Sequence, residues 1–217
     1  MAKSEAWRRR FVASQTRLEV VPLVPEVRVH TATELSPLWA ATQDVLDLQD
    51  LEPPFWAFPW AGGQALARYV LDHAAVVRAA KVLDFATGGG IVGIAAALAR
   101  AREVTCADID PLACTATRLN ARAAGVRVRT TRRDLVGRRV AADVILAGDI
   151  FYDREAAGRF LPWLRARVTA GTRVLVGDPG RGYFPGAGTK ILARYEVPVP
   201  FDLESRETKA CGVFELV

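Results

Sequence analysis

The chain is short of the residues that metal and covalent catalysis draw on. Its 217 residues include two histidines, His30 and His73, far apart in sequence, and three cysteines, Cys106, Cys114 and Cys211. No spacing among them matches a metal-ligand set, so no metal site is expected. The odd cysteine count, with Cys106 and Cys114 inside predicted core elements, argues for reduced thiols and a cytoplasmic protein. No apolar run approaches the roughly 18 residues that a membrane helix needs. The basic stretch Met1–Arg10 is not followed by an apolar core and a small-residue cleavage site, so no secretory signal is expected. Internal repeats and low-complexity tracts are missing as well.

What is present suits a compact enzyme. Hydrophobic residues make up 51% of the chain and the mean hydropathy is +0.12. The length fits one domain of ordinary size with a short N-terminal extension. The net charge of +5 comes mainly from arginine, as at Arg8–Arg10, Arg132, Arg133, Arg138 and Arg139. Such an excess can serve a nucleic acid or an acidic partner. A coding bias that spends arginine in place of lysine accounts for it more simply, and no acidic partner is inferred from it.

The hydrophobic pattern divides the chain in two. Residues 1–75 read as an arm: a helix over 4–15 capped by Ser4, an extended edge segment from Arg17 to His30, a short helix from Ser36 to Leu48, and an aromatic, proline-broken loop from Glu52 to Trp60. An amphipathic helix from Ala61 to Asp72 follows. Residues 76–217 read as the ligand-binding domain, forming one structural unit with the arm. Strands are predicted at 81–85, 103–107, 126–130, 142–147 and 172–177, and helices at 90–100, 111–124 and 154–167. This alternation predicts an α/β fold with a doubly wound, Rossmann-like, mostly parallel sheet. Lys190–Val199 and Ala210–Val217 read as an antiparallel hairpin at one edge.

In such sheets ligands bind beyond the carboxyl ends of the strands, so chemistry is sought there. The first strand ends at Asp84, followed by Gly88, Gly89 and Gly90. Gly88-x-Gly90-x-x-Gly93 satisfies the dinucleotide fingerprint. A carboxylate beside that turn, however, adds negative charge next to a pyrophosphate and complements a sulfonium bearing an ammonium group. Asp84 therefore points away from NAD and toward S-adenosylmethionine; the alternative is a carboxylate that merely ties down the turn. Asp108, about 20 residues on, is placed for two ribose hydroxyls. Asp110, ahead of Pro111, reads as a helix N-cap. Asp134 can accept an adenine amino group or be a solvated loop residue. The fourth strand delivers Asp149 and Tyr152, a carboxylate and a phenol able to hold an amine in line with a methyl donor. Asp178-Pro-Gly-Arg181 reads as a turn as readily as a substrate contact. Trp56, Phe58 and Trp60 serve to pack the arm and cover the ligand, with Trp60 nearest to it.

Pro54 to Tyr69 with its Trp-Ala-Gly-Gly-Gln-Ala-Leu block, Val82 to Gly90, Ala107 to Pro111, Gly148 to Asp153 and Gly177 to Arg181 occur in that order. Together they resemble the seven-β-strand S-adenosylmethionine-dependent methyltransferases, and more narrowly the electron transfer flavoprotein β-subunit lysine methyltransferases, from about residue 15 onward. The resemblance implies a seven-stranded sheet with an antiparallel last strand. It implies cofactor contacts at Trp60, Asp84, Gly88, Gly90, Asp108 and Asp134, and a lysine channel lined by the Asp149–Tyr152 motif. Its expected substrate is a protein, the flavoprotein β subunit, with another protein such as a ribosomal protein, or nucleic acid, as the alternative. A monomer without membrane attachment is expected. One position departs from the superfamily pattern: Ala86 stands where a glycine is usual. Base-modifying enzymes place prolines after the fourth strand, and Asp149-Ile-Phe-Tyr152 has none.

Overall fold

The computed structural model describes residues 3–32, 38, 53–199 and 207–217. Apart from the buried Leu38, the helix expected from Ser36 to Leu48 lies outside the described residues. In chain order the elements are α1 (Glu5–Gln15), β1 (Arg17–Val21), β2 (Val24–Thr31), a 3-10 turn at Phe55–Ala57, α2 (Ala61–Asp72), a second 3-10 turn at Ala74–Val76, β3 (Lys81–Phe85), α3 (Ile91–Leu98), β4 (Glu103–Ala107), α4 (Pro111–Ala123), β5 (Arg129–Thr131), β6 (Val144–Gly148), α5 (Arg154–Thr169), β7 (Arg173–Asp178), β8 (Thr189–Pro198) and β9 (Thr208–Leu216). Among the described residues no helix is long and apolar enough to cross a membrane.

The main sheet has seven strands in the order β5-β4-β3-β6-β7-β9-β8. β3 pairs in parallel with both β4 and β6, and β9 runs antiparallel to its neighbours β7 and β8. The expected doubly wound sheet and its C-terminal hairpin are therefore both present. Its inner strands are continuous apolar runs because both faces are covered. Successive side chains point to opposite faces. Val82, Val144, Leu146 and Leu175 join α2, α3 and the arm in one core, while Leu83, Ile145, Val174 and Val176 meet Trp163 and Leu164 of α5 in another.

Local capping follows the sequence signals. Ser4 Oγ accepts from Trp7 N at 3.2 Å, Asp110 Oδ1 from Leu112 N at 2.7 Å, and Asp153 Oδ1 from Ala156 N at 2.8 Å. Each satisfies a backbone donor left open in a first helical turn.

Two expectations need correction. The segment from Arg17 to His30 does not edge the main sheet; β1 and β2 pair with each other as a separate two-stranded sheet, Arg17 opposite Thr31. Pro22 and Leu23 turn the chain back, and Val21, Val24, Val27 and Val29 bury the hairpin against the core. The third main-sheet strand is Arg129–Thr131 instead of 126–130, because it pairs only with Thr105–Ala107 at the carboxyl end of β4.

Two buried amides fasten the arm, one to the glycine turn and one to itself. Asn120 accepts from His30 N at 2.8 Å and donates to Gly89 O at 2.8 Å. Gln64 accepts from Leu23 N at 3.1 Å and donates to Pro59 O at 2.6 Å. Winding outward through β4 and β5 and then returning to β6 leaves a crevice at the carboxyl ends of β3 and β6.

Candidate active site

The crevice opens into a cavity of about 650 Å³. Trp60, Gly88, Asp108, Asp149 and Tyr152, five of the residues singled out in the sequence, line it together. They arrive from α2's N-terminus, the glycine turn, the end of β4 and the loop after β6, so only the sheet topology could converge them.

Asp84 stands behind the turn. It is 1% exposed, accepts from Gly93 N at 2.9 Å and from the Thr87 hydroxyl, and is not among the lining residues. Burial pushes its carboxyl up to about 7, against the pull of the Thr87 and Gly93 hydrogen bonds, with the Asp108 charge adding to the rise. The turn depends on its glycines where backbones crowd. Gly90 has φ +84°, and a Cβ there would sit 2.7 Å from Thr117 Cγ2. Ala86 lines the cavity at φ +53°, the left-handed region in which glycine is at ease, which gives the departure from the superfamily pattern a conformational cost.

The raised carboxyl of Asp84 has a sign that can be tested. Its folded value lies near 7 and its ordinary value at 3.8, so its contribution to stability is full below about pH 4 and lost as pH rises through about 7. Asp84→Asn should therefore lose less stability than the parent between about pH 5 and about pH 8 in urea unfolding. Equal losses in the two proteins would remove Asp84 as the source.

Asp108 closes the turn from the β4 side. Its Oδ2 accepts from Gly88 N at 2.9 Å and its Oδ1 from Asp110 N at 3.0 Å. Burial raises its carboxyl, and those backbone bonds pull it back. Next to it Ile109 is 71% exposed at the cavity rim, an apolar side chain offered to a ligand instead of a core.

Asp149 is held from two sides in a left-handed backbone conformation, φ +59°. Its Oδ2 accepts from Gly62 N, in the first turn of α2, at 3.0 Å, and its Oδ1 accepts from Arg181 Nε at 2.6 Å. The Arg181 guanidinium in turn lies 5.9 Å from the centroid of the Trp60 ring. Trp60 Nε1 donates to Phe55 O at 2.7 Å, and the Phe55 and Tyr152 rings sit 5.6 Å apart, so Phe55, Trp60 and Tyr152 form an aromatic wall.

Asp134 is not brought to the cavity. It is exposed, accepts from Val136 N at 3.0 Å and pairs with Arg159 at 2.6 Å. Trp56 is buried against Val12, Leu112 and Ala116 and also lines the cavity, so it both packs the arm and shapes the site. The reading of the sequence passed over Ile109, Phe55, Phe160 and Asn120. An isoleucine between two aspartates and the aromatic loop that holds Phe55 were the available signals; Asn120 carried none.

A family model described as ribosomal protein L11 methyltransferase matches residues 64–153. The chain is 36% identical over 200 residues to the electron transfer flavoprotein beta subunit lysine methyltransferase of Mus musculus, covering 89% of this chain and 77% of that protein. To the Xenopus laevis protein of the same name it is 38% identical, covering 81% and 72%. Among solved structures, a ribosomal protein L11 methylase from Lactobacillus delbrueckii subsp. bulgaricus superposes with TM-score 0.55 at 20% identity, over 90% of this chain and 97% of that one. Magnesium protoporphyrin IX methyltransferase from Synechocystis PCC 6803, solved with bound SAM, superposes with TM-score 0.52 at 15% identity, over 72% and 80%. The structural likenesses speak to the fold; the sequence likenesses, sustained over most of both chains and spanning the blocks that build the cavity, place this chain in the electron transfer flavoprotein beta subunit lysine methyltransferase family.

Proposed function

We propose that this protein, an S-adenosylmethionine-dependent methyltransferase, methylates lysine on an electron transfer flavoprotein β subunit. The observation that carries the choice of cofactor is the charge of the cavity. Its described lining holds three carboxylates, Asp108, Asp110 and Asp149, and one guanidinium, Arg181, which is bound to Asp149. A donor set of that sign suits a ligand carrying a sulfonium and an ammonium, and opposes the two phosphates of NAD. The mouse and Xenopus relatives, named for lysine methylation of this subunit, support the choice of substrate.

The bound cofactor supplies a methyl group already activated for transfer. The chain's own residues then have to bind, orient and exclude water. Asp108, held by the Gly88 and Asp110 amides, keeps oxygen lone pairs for two ribose hydroxyls. Ile109 and Ala86 offer apolar contact beside it. Asp149 accepts a hydrogen bond from the incoming amine and aims its lone pair, while Tyr152, Phe55 and Trp60 wall the amine in.

The test is incubation of the recombinant flavoprotein β subunit from the same organism with enzyme and S-adenosylmethionine, followed by mass spectrometry of its lysines. A methylated lysine is expected. An unmodified subunit, together with label in a lysate that nuclease removes and protease does not, would sink the reading. For the cofactor half, Asp108→Ala should weaken S-adenosylhomocysteine by roughly 10- to 100-fold in calorimetry, the loss of charge-assisted bonds worth about 1.5–3 kcal/mol. An unchanged affinity would take Asp108 out of the cofactor site.

A further inference from the structure

We propose that Arg181 keeps the acceptor lysine deprotonated by cancelling the charge of Asp149, which makes it a positioning residue of the reaction. The inference rests on the cavity being the methyl-transfer site. A lysine amine ordinarily holds its proton to about pH 10.4, and an ammonium has no lone pair with which to attack. A bare carboxylate at hydrogen-bond distance holds that proton more tightly still. Asp149 alone would therefore orient its substrate and disable it together.

The geometry removes the conflict. β7 ends at Asp178, whose Oδ1 accepts from the backbone N of Gly180 and of Arg181, each at 2.7 Å. Gly180 takes φ +81°, which turns the chain back toward the end of β6. Arg181 is thereby delivered to Asp149 as a 2.6 Å ion pair, its side chain 21% exposed against 4% for Asp149. The pair is internal to the protein and lies on the cavity wall, where an amine approaching Asp149 meets a fixed guanidinium beside it. A neighbouring cation makes an amine give up its proton more readily. The ammonium proton passes to water at the cavity mouth, and the neutral amine keeps its lone pair for the methyl carbon.

The other charged and titratable groups facing the pair make Arg181 more necessary. Asp178 is buried behind it, with Oδ2 unpartnered among the described residues and a carboxyl that burial raises to about 6. Cys211 of β9 is neutral, its thiol pushed up by burial to about 12. Lys209 on the same strand acts on that thiol along with Asp149, Asp178 and Arg181. Tyr152 is neutral, raised by burial and by Asp108, Asp153 and Asp149. Without Arg181 the amine would meet Asp149, with Asp178 behind it, and no guanidinium beside them.

The test compares Arg181→Met and Arg181→Lys with the parent enzyme. In the pH dependence of kcat/KM for methylation of the flavoprotein β subunit, the rising limb should move up by about one unit or more in Arg181→Met, an approximately tenfold loss near pH 7 that recovers at high pH. Arg181→Lys should restore much of the parent profile. A second arm needs no protein substrate: n-butylamine binding to the S-adenosylhomocysteine complex, followed by NMR across pH, should favour the neutral amine in the parent and the ammonium in Arg181→Met. A parent that leaves the subunit unmodified overturns the proposed substrate, and the butylamine arm still decides the role of Arg181. Overlapping pH profiles, or identical amine preference in parent and Arg181→Met, overturn the inference. Unfolding midpoints measured alongside identify a variant that has merely lost its fold.

Discussion

Asp149→Asn will slow methyl transfer by roughly 100- to 1000-fold while S-adenosylhomocysteine binds within a few-fold of the parent. Asparagine has the size of aspartate and one acceptor oxygen, so it can still take the Gly62 N–H that now lies 3.0 Å from Oδ2. Its amide nitrogen would then face the Arg181 Nε that now donates to Oδ1 at 2.6 Å, donor against donor. Arg181 must swing away, and the acceptor amine loses its orienting carboxylate and its neighbouring guanidinium in one step. Because Asp108 and the glycine turn are untouched, cofactor affinity should hold. Asp149→Ala is a harsher change. It strands the Gly62 amide and leaves a partly buried arginine without this partner, and breaking a buried pair costs about 3–5 kcal/mol. Single-turnover rates with saturating cofactor, set against calorimetry with S-adenosylhomocysteine, separate chemistry from binding. Near-parental turnover by Asp149→Asn would remove Asp149 from the reaction.

The second large effect is predicted where two backbones touch. The first turn of α2 crosses the ends of β6 and β7 at four glycines, Gly62, Gly63, Gly148 and Gly177. A Cβ on Gly177 would overlap the Gly62 carbonyl oxygen and lie 2.8 Å from Leu66 Cβ. On Gly148 it would lie 2.7 Å from Gly63 Cα. None of these neighbours is a flexible side-chain tip, so the helix itself must lift. Gly177→Ala should then cost about 3 kcal/mol or more, at or above the upper end of ordinary overpacking. It should also impair methyl transfer in whatever fraction folds, since lifting α2 pulls the Gly62 amide off Asp149. Gly158→Ala is the control: it sits in α5 with nothing within 4 Å of its built Cβ, and should stabilise by up to about 1 kcal/mol. Equal urea midpoints for the two alanine variants would mean the crossing is looser than described.

Much of the fold is legible in the sequence, for a physical reason. Strand and helix periodicities, the caps at Ser4, Asp110 and Asp153, and the glycines of the turn act within one or two turns of chain, where residue type and spacing carry the information. The sequence of β1 and β2 suggests a sheet edge because an apolar alternation says that a strand has a buried side and not what buries it. The site divides along the same line. Asp108 and Asp149 reach the cavity because a parallel sheet opens its crevice at the carboxyl ends of its strands. Asp134 satisfied the same positional rule and is turned instead to Arg159, 25 residues on.

By itself the sequence determined the α/β layering and the strand ends at which chemistry is to be sought, since both follow from patterns local to each segment. Only the tertiary structure decided what the carboxylates there are free to do. Asp84 proved committed to Gly93 and Thr87 beneath the turn, and Asp149 to Gly62, 87 residues away, and to Arg181, 32 residues away. Partners at such separations are chosen by the packing of α2 and of the β7 turn around the end of β6. A carboxylate's chemistry depends on those partners and on its burial, more than on its own place in the chain.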